Sequence, residues 1–357
     1  MEPKPQVALI VGVTGMLGVS LCEELKNPTA LGGPWAVYGV ARRSMPTWFN
    51  SSLVERYIEC DVIDFDATQV ILSPFSNEIT HLFWLMRKGC PTEEENVIVN
   101  SKMVDNVLKS LQYLGPISDP ILSTQVQPHE APFVEDMPRL PFPNFYYALE
   151  DLLASYSPKF TWSIHRSSII LGASGRSGQN ALLTFIAYAL ICKHEGAPFR
   201  FPGNKFMWEH FCDASDANLL AEQQIWAVVT EKAKNQAFNC TNGDMFTWKR
   251  FWTCLCEVLG VEFVPFDERD EYNWVEDMKR KEPIWDAIVE ENKLEKLKLE
   301  EVACFDACQV VLNFKIQHVC SMTKTREFGF EGFRDSFKSV RGCVRKLQEM
   351  NIIPKQL

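Results

Sequence analysis

Three glycines at the spacing GxxGxxG, in Gly12-Val13-Thr14-Gly15-Met16-Leu17-Gly18, are the pattern with the most chemical content in this 357-residue chain. Glycines so spaced make a tight turn, let backbone approach an anionic diphosphate and let a helix pack closely on a strand. A helix that opens at such a turn offers unpaired N–H groups and the positive end of its dipole to phosphates. The ligand this pattern implies is a dinucleotide, with Gly12, Thr14, Gly15, Met16 and Gly18 as candidate cofactor contacts. Arg42-Arg43 stands where an acidic residue would take the ribose 2′-hydroxyl of NAD. Paired guanidiniums suit a 2′-phosphate instead, through charge-assisted bidentate hydrogen bonds. Asp61 and Val62 follow a third apolar run and are candidates for the adenine side. The expected cofactor is therefore NADP(H) rather than NAD(H). A ligand-free glycine turn, a solvated basic pair and a plain turn aspartate are the alternatives.

The elements that must position these residues follow from hydrophobic pattern. Val7–Val11 is apolar and β-branched, as suits a strand buried on both faces of a parallel sheet. Leu17, Leu21 and Leu25 recur at helical spacing over Met16–Leu25. Trp35–Ala41, Ile58–Val62 and His81–Met86 read as further strands, and the alternation predicts βαβ units. Helices are predicted over Glu93–Leu111, Asn144–Ser155, Asn180–His194 and Ala214–Thr230, the last with Asp213 or Ser215 as its cap. Ser168–Leu171 looks like a buried strand. Between Gly115 and Pro143 the only strand candidate is Ile121–Val126. After Phe238 the pattern is mainly helical, and Lys324–Pro354 reads as a Gly/Phe-rich loop leading into an amphipathic helix. The fold class expected is α/β, a Rossmann-like doubly wound parallel sheet. Residues 1–175 would form the NADP(H)-binding domain, and residues 176–357 a smaller, mostly helical substrate region interleaved with it.

Composition narrows the class. With 46% hydrophobic and 23% charged residues the chain is an ordinary globular one. A net charge of −10 disfavours nucleic acid as a partner, because phosphate backbones need a positive surface. No apolar run approaches the roughly 18 residues a spanning helix needs, and no secretory signal precedes the first strand, so no membrane partner and a cytoplasmic location are expected. The twelve cysteines are scattered; Cys254/Cys256 and Cys304/Cys308 lack zinc spacing. The six histidines show no HxH or HExxH pattern, so no metal site is expected.

Longer motifs carry a specific resemblance. Beside Gly12–Gly18 and Val37-Tyr38-Gly39-Val40-Ala41-Arg42-Arg43, the chain contains Asn144-Phe145-Tyr146-Tyr147-Ala148-Leu149-Glu150-Asp151 and Trp162-Ser163-Ile164-His165-Arg166. It also contains Ile191-Cys192-Lys193-His194-Glu195-Gly196, Ala221-Glu222-Gln223-Gln224-Ile225-Trp226 and Glu327-Phe328-Gly329-Phe330-Glu331-Gly332-Phe333. Over essentially its whole length it resembles the plant progesterone 5β-reductase/iridoid synthase family, atypical extended short-chain reductases that reduce enone C=C bonds with NADPH. The resemblance implies that Tyr147 is the catalytic tyrosine, also touching the cofactor, with Asp151 four residues on. It implies Ile170, Ser177 and Gln179 beside the nicotinamide half, and Tyr146, Phe330 and Phe333 at the substrate. A phenol is neutral at pH 7 and can donate a hydrogen bond to the carbonyl oxygen on which charge develops during enone reduction. A donor of this kind is worth roughly 10²–10³ in rate. The expected partner is a small hydrophobic enone of steroid or monoterpenoid type, with a homodimer left open.

The chain departs from that family in one segment. The family's lysine lies in a TGxKHY motif, and here no lysine occurs between Lys109 and Lys159. Leu111-Gln112 runs directly into Tyr113-Leu114-Gly115-Pro116. The absent strand would be an interior one, and each unpaired buried backbone group would cost about 1–3 kcal/mol. Ile121–Thr124 is the segment available to fill the place, although Pro120 restricts its pairing. After the fourth strand, Met86-Arg87 replaces the family's Thr-Trp pair. Three functions stay open: an enone reductase, a catalytically impaired NADP(H)-binding member or truncated isoform, and a carbonyl reductase.

Overall fold

A computed structural model describes residues 6–111, 117–122, 129–157, 159–269 and 272–357, with backbone alone at 117–122. The strands in chain order are β1 (Gln6–Val11), β2 (Trp35–Ala41), β3 (Arg56–Glu59), β4 (His81–Trp84), β5 (Ile117–Leu122), β6 (Trp162–Ser167), β7 (Ile169–Leu171), β8 (Phe211–Cys212), β9 (Ala214–Asp216), β10 (Gln236–Cys240) and β11 (Phe246–Thr247). The helices are α1 (Met16–Lys26), α2 (Phe65–Leu72), α3 (Glu93–Leu111), α4 (Phe145–Tyr156), α5 (Ala181–Glu195), α6 (Lys205–Glu209), α7 (Ala217–Val229), α8 (Trp248–Leu259), α9 (Trp274–Lys279), α10 (Glu282–Glu291), α11 (Leu299–Val302), α12 (Phe305–Leu312), α13 (Thr323–Glu327) and α14 (Ser336–Glu349).

Seven strands form one parallel sheet in the order β10-β6-β5-β4-β1-β2-β3. This is the doubly wound arrangement expected from the alternating pattern, with the crossover between β1 and β4 creating the crevice where such sheets bind ligands. β1 is solvent-free from Ala8 to Val11, which explains why its sequence is continuously apolar rather than alternating. One face of the sheet packs on α2, α3 and α4 through Leu9, Val11, Met103, Val107 and Leu149. The other packs on α1 and α7 through Ala8, Ile10, Leu21, Leu220 and Ile225. A third core, built on α5, which is buried from Leu182 to Cys192, and on Trp248, Trp252, Trp274 and Trp285, holds the C-terminal helices together.

Several local expectations change. The third strand is Arg56–Glu59 rather than Ile58–Val62, because Asp64 caps α2 by accepting from Ala67 N–H at 3.0 Å and draws the chain out of the sheet. The segment Ala214–Thr230 begins as β9, paired with β7, and the helix starts one residue after Asp216. Asp216, not Asp213 or Ser215, accepts the cap hydrogen bonds from Asn218 and Leu219 N–H. The interior place beside β4 is filled by Ile117–Leu122, upstream of Ile121–Thr124. β5 pairs with β6 along its whole length, from Ile117↔Trp162 to Leu122↔Ser167, but with β4 only at Leu82↔Ile117 and Phe83↔Ser118. Pro120, which has no N–H, thus lies beyond the end of the β4 ladder, where a missing donor costs least. The join Gln112–Pro116 and residues Ser123 and Thr124 fall outside the described residues. Late in the chain, β10 joins the sheet at its edge and α7 packs on one of its faces.

Candidate active site

A cleft of ≈ 790 Å³ opens at the C-terminal ends of β1, β2 and β4, between the sheet and the helical C-terminal body. Gly12, Thr14, Gly15 and Met16 line its floor. Gly12 has φ +99°, and a Cβ there would stand 3.0 Å from Leu85 O, so both conformation and space favour glycine. Gly18 lies behind the floor. A Cβ at Gly18 would come within 2.3 Å of Gly12 O and 2.6 Å of Val13 O, so the missing side chain lets α1 seat against the turn. Gly15 caps α1 without any side-chain hydrogen bond, and no acidic residue stands in the first turn. Uncapped N–H groups with no competing carboxylate make a cradle for a diphosphate.

Arg42 and Arg43, both exposed, line the cleft beyond the end of β2. Arg43 pairs with Glu301 at 3.2 Å, and its carbonyl accepts from the Tyr57 hydroxyl at 2.7 Å. A third guanidinium joins them. Arg176, on the loop after β7, donates to Ser44 O at 2.6 Å and lines the same cleft. Burial and then the nearby charge of Arg43 pull the Arg176 pKa below its ordinary value. Sequence reading passed over Arg176; a cation inside the loop Gly175-Arg176-Ser177-Gly178 was the available signal. Asp61 is exposed and turns the chain by accepting from Ile63 N–H at 3.2 Å, while Val62 is fully buried. It is their neighbours, Cys60 and Ile63, that line the cleft. Asp61 and Val62 themselves are not among the cleft-lining residues.

The opposite half of the cleft is apolar with a few polar groups. Ile170, Ser177 and Gln179 lie there, with Ile169, Val310, Val311 and Phe314. Arg87 also enters this half. It donates to Gln179 Oε1 at 2.7 Å, and its guanidinium lies 4.9 Å from the centre of the Phe145 ring. Cys304 and Cys308 stand side by side in the same wall, with their sulfurs 3.8 Å apart.

The remaining predicted residues are elsewhere. Tyr147, half-buried at the start of α4, is not among the cleft-lining residues: its hydroxyl accepts from Leu140 N–H at 3.1 Å, and Arg139 covers its ring at 4.8 Å. Arg139 bridges Asp151 at 2.7 Å and Glu150 at 3.0 Å, and Glu150 also holds Arg166 at 2.9 Å. Tyr146 is buried against Phe145 with ring centres 3.8 Å apart. Phe330 packs in the core 5.5 Å from Trp226, and Phe333 is 71% exposed. Neither lines the cleft; the loop after α13 is anchored against α7 on the far face of the sheet. Among the described residues, Asp213, His318 and Cys320 form one buried group with potential ligand atoms within 4.8 Å of one another. His318 and Cys320 stand two residues apart, but Asp213 comes from more than a hundred positions upstream, so local spacing alone does not reveal the group. Cys320 N–H donates to Asp213 Oδ2 at 2.6 Å, and the group borders a second cavity that shares no lining residue with the cleft.

The family described as PRISE-like Rossmann-fold domain matches residues 120–354. An (S)-8-oxocitronellyl enol synthase of Camptotheca acuminata is 44% identical over 369 positions, covering 98% of this chain and 93% of the relative. A 3-oxo-Δ(4,5)-steroid 5β-reductase of Arabidopsis thaliana is 44% identical over 98% of this chain and 93% of its own length. The chain belongs to the PRISE-like family. It shares its Rossmann-type fold with solved structures of low sequence identity. A putative epimerase of Burkholderia cenocepacia aligns with TM-score 0.66 and 17% identity over 98% of this chain and 99% of the other. The Bordetella bronchiseptica enzyme WbmH, solved in complex with NAD⁺, aligns with TM-score 0.65 and 15% identity over 97% and 99%.

As a PRISE-like member this chain is an oxidoreductase by class. The match to the enol synthase runs over more positions than the chain has residues, 369 against 357, so this relative carries positions that the chain omits. Among the described residues no helix is long and apolar enough to cross a membrane.

Proposed function

We propose that this PRISE-like chain binds NADPH in the cleft and reduces the activated C=C bond of a small hydrophobic enone or enal. The observation that carries the reading is one cleft that joins an uncapped helix N-terminus, four guanidiniums and an apolar wall. The residues fit the cofactor: N–H groups of the first turn of α1 would take the diphosphate, and Arg42, Arg43 and Arg176 the 2′-phosphate. Ile170, Ser177 and Gln179 would flank the nicotinamide, whose reduced form supplies the hydride. The relatives' names, an enol synthase and a steroid 5β-reductase, favour a terpenoid or steroid enone as substrate.

The chain's own contribution is electrostatic. As hydride reaches the β-carbon, charge gathers on the carbonyl oxygen, and fixed donors there lower the barrier. Tyr147 is the proposed donor, carried on α4, whose first residue Phe145 meets the cleft-lining Arg87. Arg87 supplies positive charge in the substrate half, where the family uses a lysine that this sequence lacks. A second reading has its own observation: Tyr147 is engaged with Leu140 and Arg139, outside the cleft wall, as in a member that binds the nucleotide without turning over.

Loss of NADPH absorbance with a panel of small enones and their saturated ketone counterparts separates the readings. The proposal expects turnover of the enones, with Tyr147→Phe and Arg87→Gln each slower. Turnover of the saturated ketones alone would indicate a carbonyl reductase. NADPH binding with no turnover would establish the silent reading, and no binding at all would remove both.

A further inference from the structure

Of the twelve cysteines, ten are buried, and only Cys90 and Cys304 retain partial exposure. Cys304 is the one that combines reach with an activating environment. It precedes α12 at the N-cap position and lines the cleft together with Cys308, Val311 and Phe314. Cys308, one turn further on and itself buried, holds its sulfur 3.8 Å away. Thr184 Oγ1 is 3.3 Å from the Cys304 sulfur and accepts from the Cys304 N–H at 2.9 Å, fixing the residue against α5. The hydrogen bond from Cys308 lowers the Cys304 thiol pKa against the opposing effect of burial, while burial holds Cys308 well above the thiol range. Cys308, the more deeply buried of the two, is placed to donate to the Cys304 sulfur, which disposes Cys304 to ionise first of the pair. A thiolate, not a thiol, is the nucleophile.

We propose that Cys304 is a covalent modification site for α,β-unsaturated carbonyl compounds that enter the cleft. The Cys304 sulfur forms a C–S bond to the β-carbon, and the C=C pair moves onto the carbonyl oxygen as an enolate. The proton released by the thiol ends on the α-carbon. The product is a saturated aldehyde or ketone joined by a thioether, with no oxidant or reductant consumed. The apolar wall around Cys304, with Val310, Val311 and Phe314, suits short hydrocarbon chains. Because the addition consumes the same C=C bond as the proposed reduction, the thiol would compete with reduction for ligand. The labelling itself needs no nucleotide, so it stands or falls apart from the reductase reading.

The test uses the full chain without nucleotide at pH 7, with limiting trans-2-hexenal as probe and saturated hexanal as control, followed by peptide mapping by mass. The expected result is one hexenal added without loss of water, on the Cys304 peptide, several-fold ahead of Cys90, and no thioether with hexanal. The rate–pH profile of Cys304 should rise at lower pH than that of Cys90. Cys308→Ala should slow Cys304 several-fold at pH 7 and leave Cys90 unchanged, with the Cys90 rate reporting whether the variant is folded. Labelling of Cys90 first, reaction of Cys304 only in denaturant, or coincident wild-type pH profiles would overturn the proposal. The wild-type profiles decide it if Cys308→Ala does not fold.

Discussion

Replacing Arg176 with methionine should convert a discriminating cofactor site into a poorly discriminating one. The side chain keeps its length and apolar stem, so packing against the loop is largely retained while the guanidinium is lost. Arg176 sits among cleft groups that share its charge, and burial together with Arg43 already disfavours that charge in the unliganded protein. A 2′-phosphate would relieve this conflict, and hydrogen bonds to charged groups contribute about 1.5–3 kcal/mol each. That corresponds to roughly 10- to 150-fold weaker NADPH binding, with NADH nearly unchanged. Glu301→Gln provides the opposite sign. It releases Arg43 from a half-exposed ion pair at 3.2 Å, a contact class worth about 0.2–1 kcal/mol. NADPH should then bind up to about fivefold tighter. Titration calorimetry of both variants with both nucleotides, at two salt concentrations, measures these differences. Equal losses for NADH and NADPH in Arg176→Met, or no loss for either, would refute the assignment of the three arginines to the 2′-phosphate.

Gly18→Ala forces a Cβ to within 2.3 Å of Gly12 O; overpacking of this kind costs about 1–3 kcal/mol, so a lowered unfolding midpoint in urea is expected together with weaker binding of both nucleotides. Tyr147→Phe should lower kcat on an enone by roughly 10²–10³ if the phenol is the oxyanion donor; an unchanged kcat in steady-state assays would remove it from the chemistry. His81 and His165 are buried, and burial holds each at about 4 in the folded protein. Because these folded values lie below the unfolded one, the stability they contribute is complete above pH 6.5 and is lost as pH falls toward 4. Chemical denaturation at pH 7 and 4.5 should show that loss, and His165→Asn should reduce it; an identical loss in the variant would contradict the role of burial.

The short-range features of this protein were written in its sequence. A glycine turn works within seven residues, and the apolar run of β1, the helical spacing of Leu17, Leu21 and Leu25 and the 19-residue α3 depend on periodicities local to each element. The floor of the cleft and its first two arginines were legible for that reason. What the tertiary structure decided were contacts between residues far apart in the chain. Arg176 meets Ser44, and Cys304 meets Thr184 across 120 positions. Phe330, which the motif suggested for the ligand, is instead drawn into the core by Trp226. Even β5 was a tertiary decision: a proline-containing segment with weak strand character occupies the interior of the sheet because β6 pairs along its whole length. Propensity acts over a few residues, whereas burial and pairing act wherever the chain folds back on itself, so the latter settled which side chains share the cleft.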